Sequence, residues 1–222
     1  MSLTNDSRKS PPDALLLMQP GCAHCPHVLS ALVSLLEQGA ISRLEAVNVM
    51  EFPQAAREVG TRSVPWTRIG DFELPGNYTE AELRHWAQES TRDGGVAGYY
   101  FDLLDNGHLA RAMARVRGKP EEVPDLLDLL ADEEVPLSVR VGVSAIVEDL
   151  AGQEALIGAF ERIMSLTGSR NPATRADSAH FLGLSGSPDA IPAIRKLLQD
   201  GEAQVREVAA EALEMLGHRG GT

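Results

Sequence analysis

The chain has 222 residues, 43% of them hydrophobic, and a formal net charge of −12 with a pI near 4.9. That acidic balance argues against nucleic acid and anionic membrane surfaces, since both select basic patches. No apolar run reaches the roughly 18 residues of a membrane-spanning helix, and the polar stretch Met1–Pro12 lacks the pattern of a secretory signal.

Residues 1–12, rich in Ser, Pro and charge, read as a disordered tail. Ala14–Met18 is a continuous apolar run, the form of a strand buried on both faces. Then comes Gly21-Cys22-Ala23-His24-Cys25-Pro26, which holds the only two cysteines of the chain. Apolar residues recur at helical spacing from Cys25 to Gln38, and Gly39 closes that helix. Leu44–Met50 alternates like a strand, and Pro53–Val59 reads as a short helix stopped by Gly60. Thr67–Gly70 and Phe72–Leu74 are two short strands joined by a turn at Gly70-Asp71. A helix over Thr79–Glu89 opens with Thr79 as N-cap and Glu82 three residues later. The order is βαβαββα, which predicts an α/β sheet with helices on its faces.

Two cysteines at a strand-to-helix turn form a pattern typical of a dithiol–disulfide site. Unpaired N–H groups and the helix dipole favour a thiolate at a helix start, and the thiolate is the reactive form. Three chemistries fit the pair: redox exchange, half of a zinc site, or inert buried thiols. Zinc takes four ligands, and only His24 and His27 lie nearby in the sequence, so no metal is expected. Haem attachment requires histidine directly after the second cysteine, where this chain has Pro26. In the redox reading Cys22, exposed at the turn, attacks, and Cys25, inside the first helical turn, resolves the mixed disulfide. His24, between them, is either a tuner of Cys22 or a solvated turn residue. His27 and His85 read as surface or packing residues, and Trp66 as core more than substrate groove.

From about Ala14 to Ser90, the element order, the Cys22-Ala23-His24-Cys25-Pro26 stretch and its spacing to Val64-Pro65 resemble the thioredoxin superfamily in its short, glutaredoxin-like form. Among its branches they look most like the N-terminal domain of the alkyl hydroperoxide reductase flavoprotein subunit and the glutaredoxin-like protein disulfide oxidoreductases. The resemblance implies a cis bond before Pro65, with Pro65 beside the dithiol and the Val64 backbone offered to an extended substrate. One departure stands out. Thioredoxins carry a buried acid six residues before the first cysteine, and this chain has Leu16 there.

Asp93-Gly94-Gly95 breaks the pattern, and beyond it no strand signal remains. Tyr99–Leu104 and His108–Val116 read as two helices. Val123–Leu130 then matches Ile191–Leu198, and Ile157, Phe160, Ile163 and Met164 fall halfway between, giving a period of 34. Each of these segments precedes a second helix: Val139–Leu150, Thr174–Leu184 and Val205–Leu216. Helix pairs at fixed period stack into a solenoid, because no single pair buries its apolar face alone. The Val-Arg openings and the Ala212–Gly217 stretch resemble short HEAT-like repeats of the phycobilisome-lyase kind. Arg140, Arg175 and Arg206 recur at equivalent places, where they read as structural side chains binding helix ends and aspartates of the neighbouring repeat.

The expectation is therefore an α/β thioredoxin-like fold followed by an all-α HEAT-like solenoid. Its divisions are the tail at 1–12, a thioredoxin/glutaredoxin-like domain at 13–92, a linker and helical cap at 93–118, and three helix pairs at 119–222. The solenoid side is the acidic half, with 12 basic and 21 acidic side chains from residue 93 on, against 8 and 11 before it. The function read from these features is thiol–disulfide exchange in the cytoplasm on a disulfide-containing protein. The site is Cys22 and Cys25, tuned by His24, with Val64 and Pro65 binding substrate. No bound cofactor is expected, so a separate reductase or a small thiol supplies electrons, and the solenoid binds a protein partner. The competing reading is a non-catalytic redox sensor or adaptor that uses the solenoid as an interaction scaffold.

Overall fold

The computed structural model describes residues 10–219, and the expected disordered tail up to residue 9 lies outside them. The chain divides into two compact units, residues 1–95 and 96–222.

The first unit carries a four-stranded sheet in the order β2-β1-β3-β4, built from β1 (Asp13–Met18), β2 (Arg43–Asn48), β3 (Trp66–Ile69) and β4 (Phe72–Pro75). β1 runs parallel to β2 and antiparallel to β3, and β3 and β4 form a hairpin through Gly70, whose φ of 54° suits glycine. Three helices complete the unit: α1 (Cys25–Glu37), α2 (Pro53–Glu58) and α3 (Glu80–Glu89). The predicted capping box at α3 is complete: Thr79 Oγ1 accepts from the Glu82 amide, and the Glu82 carboxylate accepts from the Thr79 amide at 2.7 Å.

Cross-strand register shows which face holds the core. Leu16 lies opposite Thr67, Thr67 opposite Leu74, and Ile69 opposite Phe72, so these side chains share one face. Phe72 meets Trp86 of α3 edge to face at 5.6 Å, and α3 packs on α1, so this is the helix-covered side. Val28, Leu32 and Leu35 of α1 close it from above, all fully buried. The strand expected over Leu44–Met50 is present as β2, but it buries no residue, and α2 beside it buries none either. β2 and β4 are both edge strands, but β4 buries Phe72 and Leu74 under α3, a cover that α2 does not give β2.

The second unit is helical throughout its described residues. α4 (Gly95–Asp105) and α5 (Leu109–Gly118) precede three helix pairs. The first pair is α6 (Val123–Asp128) with α7 (Leu137–Asp149), and the third is α11 (Ile191–Leu197) with α12 (Ala203–Arg219). In the second, the opening helix is broken into α8 (Glu154–Gly158) and α9 (Phe160–Leu166), followed by α10 (Pro172–Ser185). This break corrects the expected alignment. Ile157 is 54% exposed, while Leu156, Ala159, Ile163 and Leu166 form the buried line. Buried positions recur 33 residues apart from Val123 to Leu156 and 34 from Leu156 to Ala190, so the third pair also begins its buried line one residue before the expected Ile191. The adjacent apolar pair Leu156-Ile157 offers two registers, and packing takes the first.

Two glycines are fixed by close packing. A Cβ on Gly142 would lie 2.7 Å from Leu104, and one on Gly183 would lie 3.1 Å from the Ala212 backbone, where α10 crosses α12. No helix among the described residues is long and apolar enough to cross a membrane.

Candidate active site

β1 ends at Met18, and the turn Gln19-Pro20-Gly21 carries the chain to the first cysteine, with Gly21 at φ 80°. Cys22 sits half-buried on this turn, its amide donating to the Gln19 carbonyl at 3.4 Å. His24 occupies the N-cap position of α1, exposed and without a capping bond. Cys25 is the first residue of α1 and fully buried, and Pro26 follows in the first turn, where a missing N–H costs nothing.

The two cysteines are joined as a disulfide. The Cys25 amide donates to Cys22 Sγ at 3.1 Å, so an otherwise unpaired donor of the helix start is aimed at that sulfur. No acidic residue lies in the first turn of α1 to oppose negative charge there. Such a donor and the helix dipole favour a thiolate at Cys22 once the disulfide opens. The Val64 carbonyl oxygen lies 3.9 Å from Cys22 Sγ, a donor–acceptor pair once that sulfur carries a proton. The Val64–Pro65 peptide is cis, as the resemblance implies. The structure thus brings Cys22, Cys25 and Val64 together, with buried Pro65 next to Val64. Trp66 is buried and belongs to the packing, and His27 is exposed. Among the described residues, no group of three or more His, Cys, Asp or Glu side chains is arranged to hold a metal ion.

Residues 14–88 match the family model described as Thioredoxin domain, and residues 143–214 match the one described as HEAT repeats. The chain joins a thioredoxin domain to HEAT repeats. No curated protein matches it. A thioredoxin domain with a cysteine pair at CxxC spacing supports a redox role, and HEAT repeats are compatible with partner binding.

One residue of the thioredoxin domain escaped the sequence reading. Thr67, there only the first residue of a strand, is fully buried, and its hydroxyl has no hydrogen-bond partner among the described residues. An unsatisfied buried hydroxyl costs on the order of 1–3 kcal/mol. It lies directly across from Leu16, the position where a thioredoxin carries its buried acid. The sheet register that places it there is invisible in a linear string, so no local signal marks it.

The HEAT-repeat unit treats polar groups differently. Arg140 of α7 pairs with Asp177 and donates to Thr174 Oγ1 at 3.3 Å, both on α10. Arg175 of α10 grips Asp200 after α11 with two bonds of 2.7 and 2.8 Å, and donates to the carbonyls of Ser169 and Arg170. Arg206 donates to the carbonyls of Asp200 and Gly201. The recurring arginines therefore tie helix ends and neighbouring pairs together. Arg175, with a further bond from the Glu202 amide, holds the Asp200 carboxyl at about 2, below its ordinary 3.8. Burial pushes the Asp177 carboxyl up, against the pull of Arg140. Below the first pair, Arg115 of α5 meets Glu122 through two bonds of 2.7 Å, and Tyr100 donates its hydroxyl to the same carboxylate at 2.9 Å. Burial, and then the Glu122 charge, hold the Tyr100 phenol far above its ordinary range.

Proposed function

We propose that the thioredoxin domain is a thiol–disulfide oxidoreductase working through Cys22 and Cys25, and that the HEAT repeats bind a protein partner. The observation that carries this reading is the asymmetry of the two sulfurs. Cys22 is half-exposed, receives the Cys25 amide and faces the Val64 carbonyl, while Cys25 is fully buried behind it. In the reducing direction the Cys22 thiolate attacks one sulfur of a substrate disulfide, forming a mixed disulfide and releasing the other sulfur as a thiolate. Cys25 then attacks Cys22, the substrate leaves as its second thiolate, and the protein keeps the new Cys22–Cys25 disulfide. Two electrons pass to the substrate, and a separate reductase or a small thiol returns them.

In this reading Val64 and Pro65 line the substrate's approach, with the Val64 backbone pairing to an extended segment. His24 tunes the pair, and the cytoplasm keeps the dithiol cycling. The substrate is a disulfide-containing protein. Single-cysteine variants test the assignment. Cys22→Ser drops reduction of a protein disulfide to background, and Cys25→Ser accumulates a mixed disulfide visible by non-reducing electrophoresis. Retention of most turnover by both variants excludes the dithiol mechanism. Absence of turnover in the wild-type chain leaves the sensor or adaptor role in its place.

A further inference from the structure

Two buried polar atoms described in the thioredoxin domain have no partner, the Thr67 hydroxyl and Arg68 Nε, and the Arg68 guanidinium is otherwise paired with Asp13. The only other buried polar side chain described in this domain, Glu89, is taken up by Arg92. Three observations place Thr67 relative to the dithiol. It lies two residues after Pro65 in the chain, so strand alternation puts both side chains on the same face of the sheet. That face is the one covered by α1 and α3, as the Phe72–Trp86 contact and the register Thr67–Leu74 establish. Cys25 is the first residue of α1 and is turned fully inward.

Resolution of a mixed disulfide asks something of Cys25 that this setting opposes. A thiol enclosed in apolar surroundings resists ionising, yet only the thiolate attacks. The charged and titratable groups about it are few. Cys22 is its partner, and His24 and His27 flank it in exposed positions. On the elements packed against α1 the buried side chains include Leu16 of β1 and Leu83 and Trp86 of α3, all uncharged, and the buried Glu89 of α3 is held by Arg92. The charged Arg43 and Glu45 of β2 are exposed, and Glu80 of α3 bonds Gln38 just past the far end of α1. Thr67 carries the one buried hydroxyl described on that side, and the Trp86 indole is the other buried donor there.

We infer that Thr67 is a positioning residue for Cys25. Its hydroxyl supplies the hydrogen bond, direct or relayed by one water molecule, that steadies the Cys25 thiolate when the disulfide is open. As Cys25 attacks, the Cys22–substrate bond breaks, the Cys22–Cys25 bond forms, and the departing substrate sulfur takes up the proton that Cys25 gave up. The hydroxyl changes no oxidation state. It lowers the pH at which Cys25 becomes competent. This inference rests on the redox reading of the pair, but it is measured on a different quantity.

The experiment uses the full chain carrying Cys22→Ser, which leaves Cys25 as the sole thiol and requires no turnover. Thiolate absorbance in the ultraviolet is followed against pH with Thr67, Thr67→Val and Thr67→Ser. Loss of the hydroxyl in Thr67→Val raises the Cys25 pKa by about one unit, the scale of one hydrogen bond to a charged group. Thr67→Ser restores the original midpoint. Thr67→Ala gives a second variant without the hydroxyl if valine disturbs the fold. The same midpoint in all variants overturns the inference, and so does an equal shift in valine and serine, which assigns the effect to packing. Because the titration needs no substrate, failure of the redox reading in the turnover assay is separable from failure of this one.

Discussion

In the HEAT-repeat unit the mostly buried Arg115, Arg140 and Arg175 each meet a carboxylate, whereas in the thioredoxin domain the buried Thr67 hydroxyl meets no partner. The solenoid repeats one supersecondary unit, so the arginine recurs pair after pair, while its acceptor differs each time: Asp177 for Arg140, Asp200 for Arg175 and backbone carbonyls for Arg206. The thioredoxin domain concentrates its chemistry at one turn. There the amide of Cys25 is directed at Cys22, and a hydroxyl on the same covered side of the sheet is left unsatisfied. Compensated polar groups fix a structure, while uncompensated ones near a reactive pair are available to a changing charge.

The largest effect that would break this contrast lies in the solenoid. Glu122→Gln leaves Arg115 buried without its counter-charge, and such losses typically cost about 3–5 kcal/mol. Urea unfolding followed by circular dichroism of the full chain measures it. A change no larger than that of an exposed pair would mean the Tyr100–Glu122–Arg115 group contributes little.

A smaller, pH-dependent effect belongs to Asp200. Its carboxyl is held below its ordinary 3.8, at about 2, by Arg175 first and then by the Glu202 amide. A depressed carboxylate contributes stability that is fully present above the unfolded value and is lost as pH falls through the folded one. The wild-type urea midpoint therefore falls between about pH 4 and pH 2, and Asp200→Asn removes that share of the slope. Asp177 works in the opposite sense. Its raised carboxyl favours folding below its ordinary value and loses that contribution as pH rises through the shifted one.

The smallest effect sharpens the thioredoxin side. His24→Ala lowers the potential of the Cys22–Cys25 couple by roughly 30 mV, about a tenfold change in its equilibrium constant. Equilibration of both proteins against glutathione buffers gives the difference, and equal potentials make His24 a solvated turn residue.

Local signals exposed much of this fold. The apolar run of β1, the capping box of Thr79 and Glu82, and the repeat of helix pairs each follow from a pattern within a few residues of sequence. The cysteine turn was equally legible, since Gly21, Cys22, Cys25 and Pro26 are contiguous. What escaped depends on contacts distant in sequence. The choice of Leu156 over Ile157 is made by packing of neighbouring helices. The exposure of β2, unlike that of the other edge strand β4, goes with a neighbouring helix that buries no residue. The isolation of the Thr67 hydroxyl follows from the register that sets it against Leu16 and Leu74.

The crossing of α10 and α12 at Gly183 has a consequence for how this chain can vary over evolutionary time. A side chain at 183 needs space that the Ala212 backbone and the tip of Met215 now occupy. The identity of residue 183 is therefore bound to that of its neighbours on the last helix: while the helices keep this separation, it cannot drift to a bulkier residue without movement at Ala212 and Met215. Enlargement at 183 asks the Met215 tip to move aside and the Ala212 backbone to give by a few tenths of an ångström, so lineages that keep this packing keep residue 183 small.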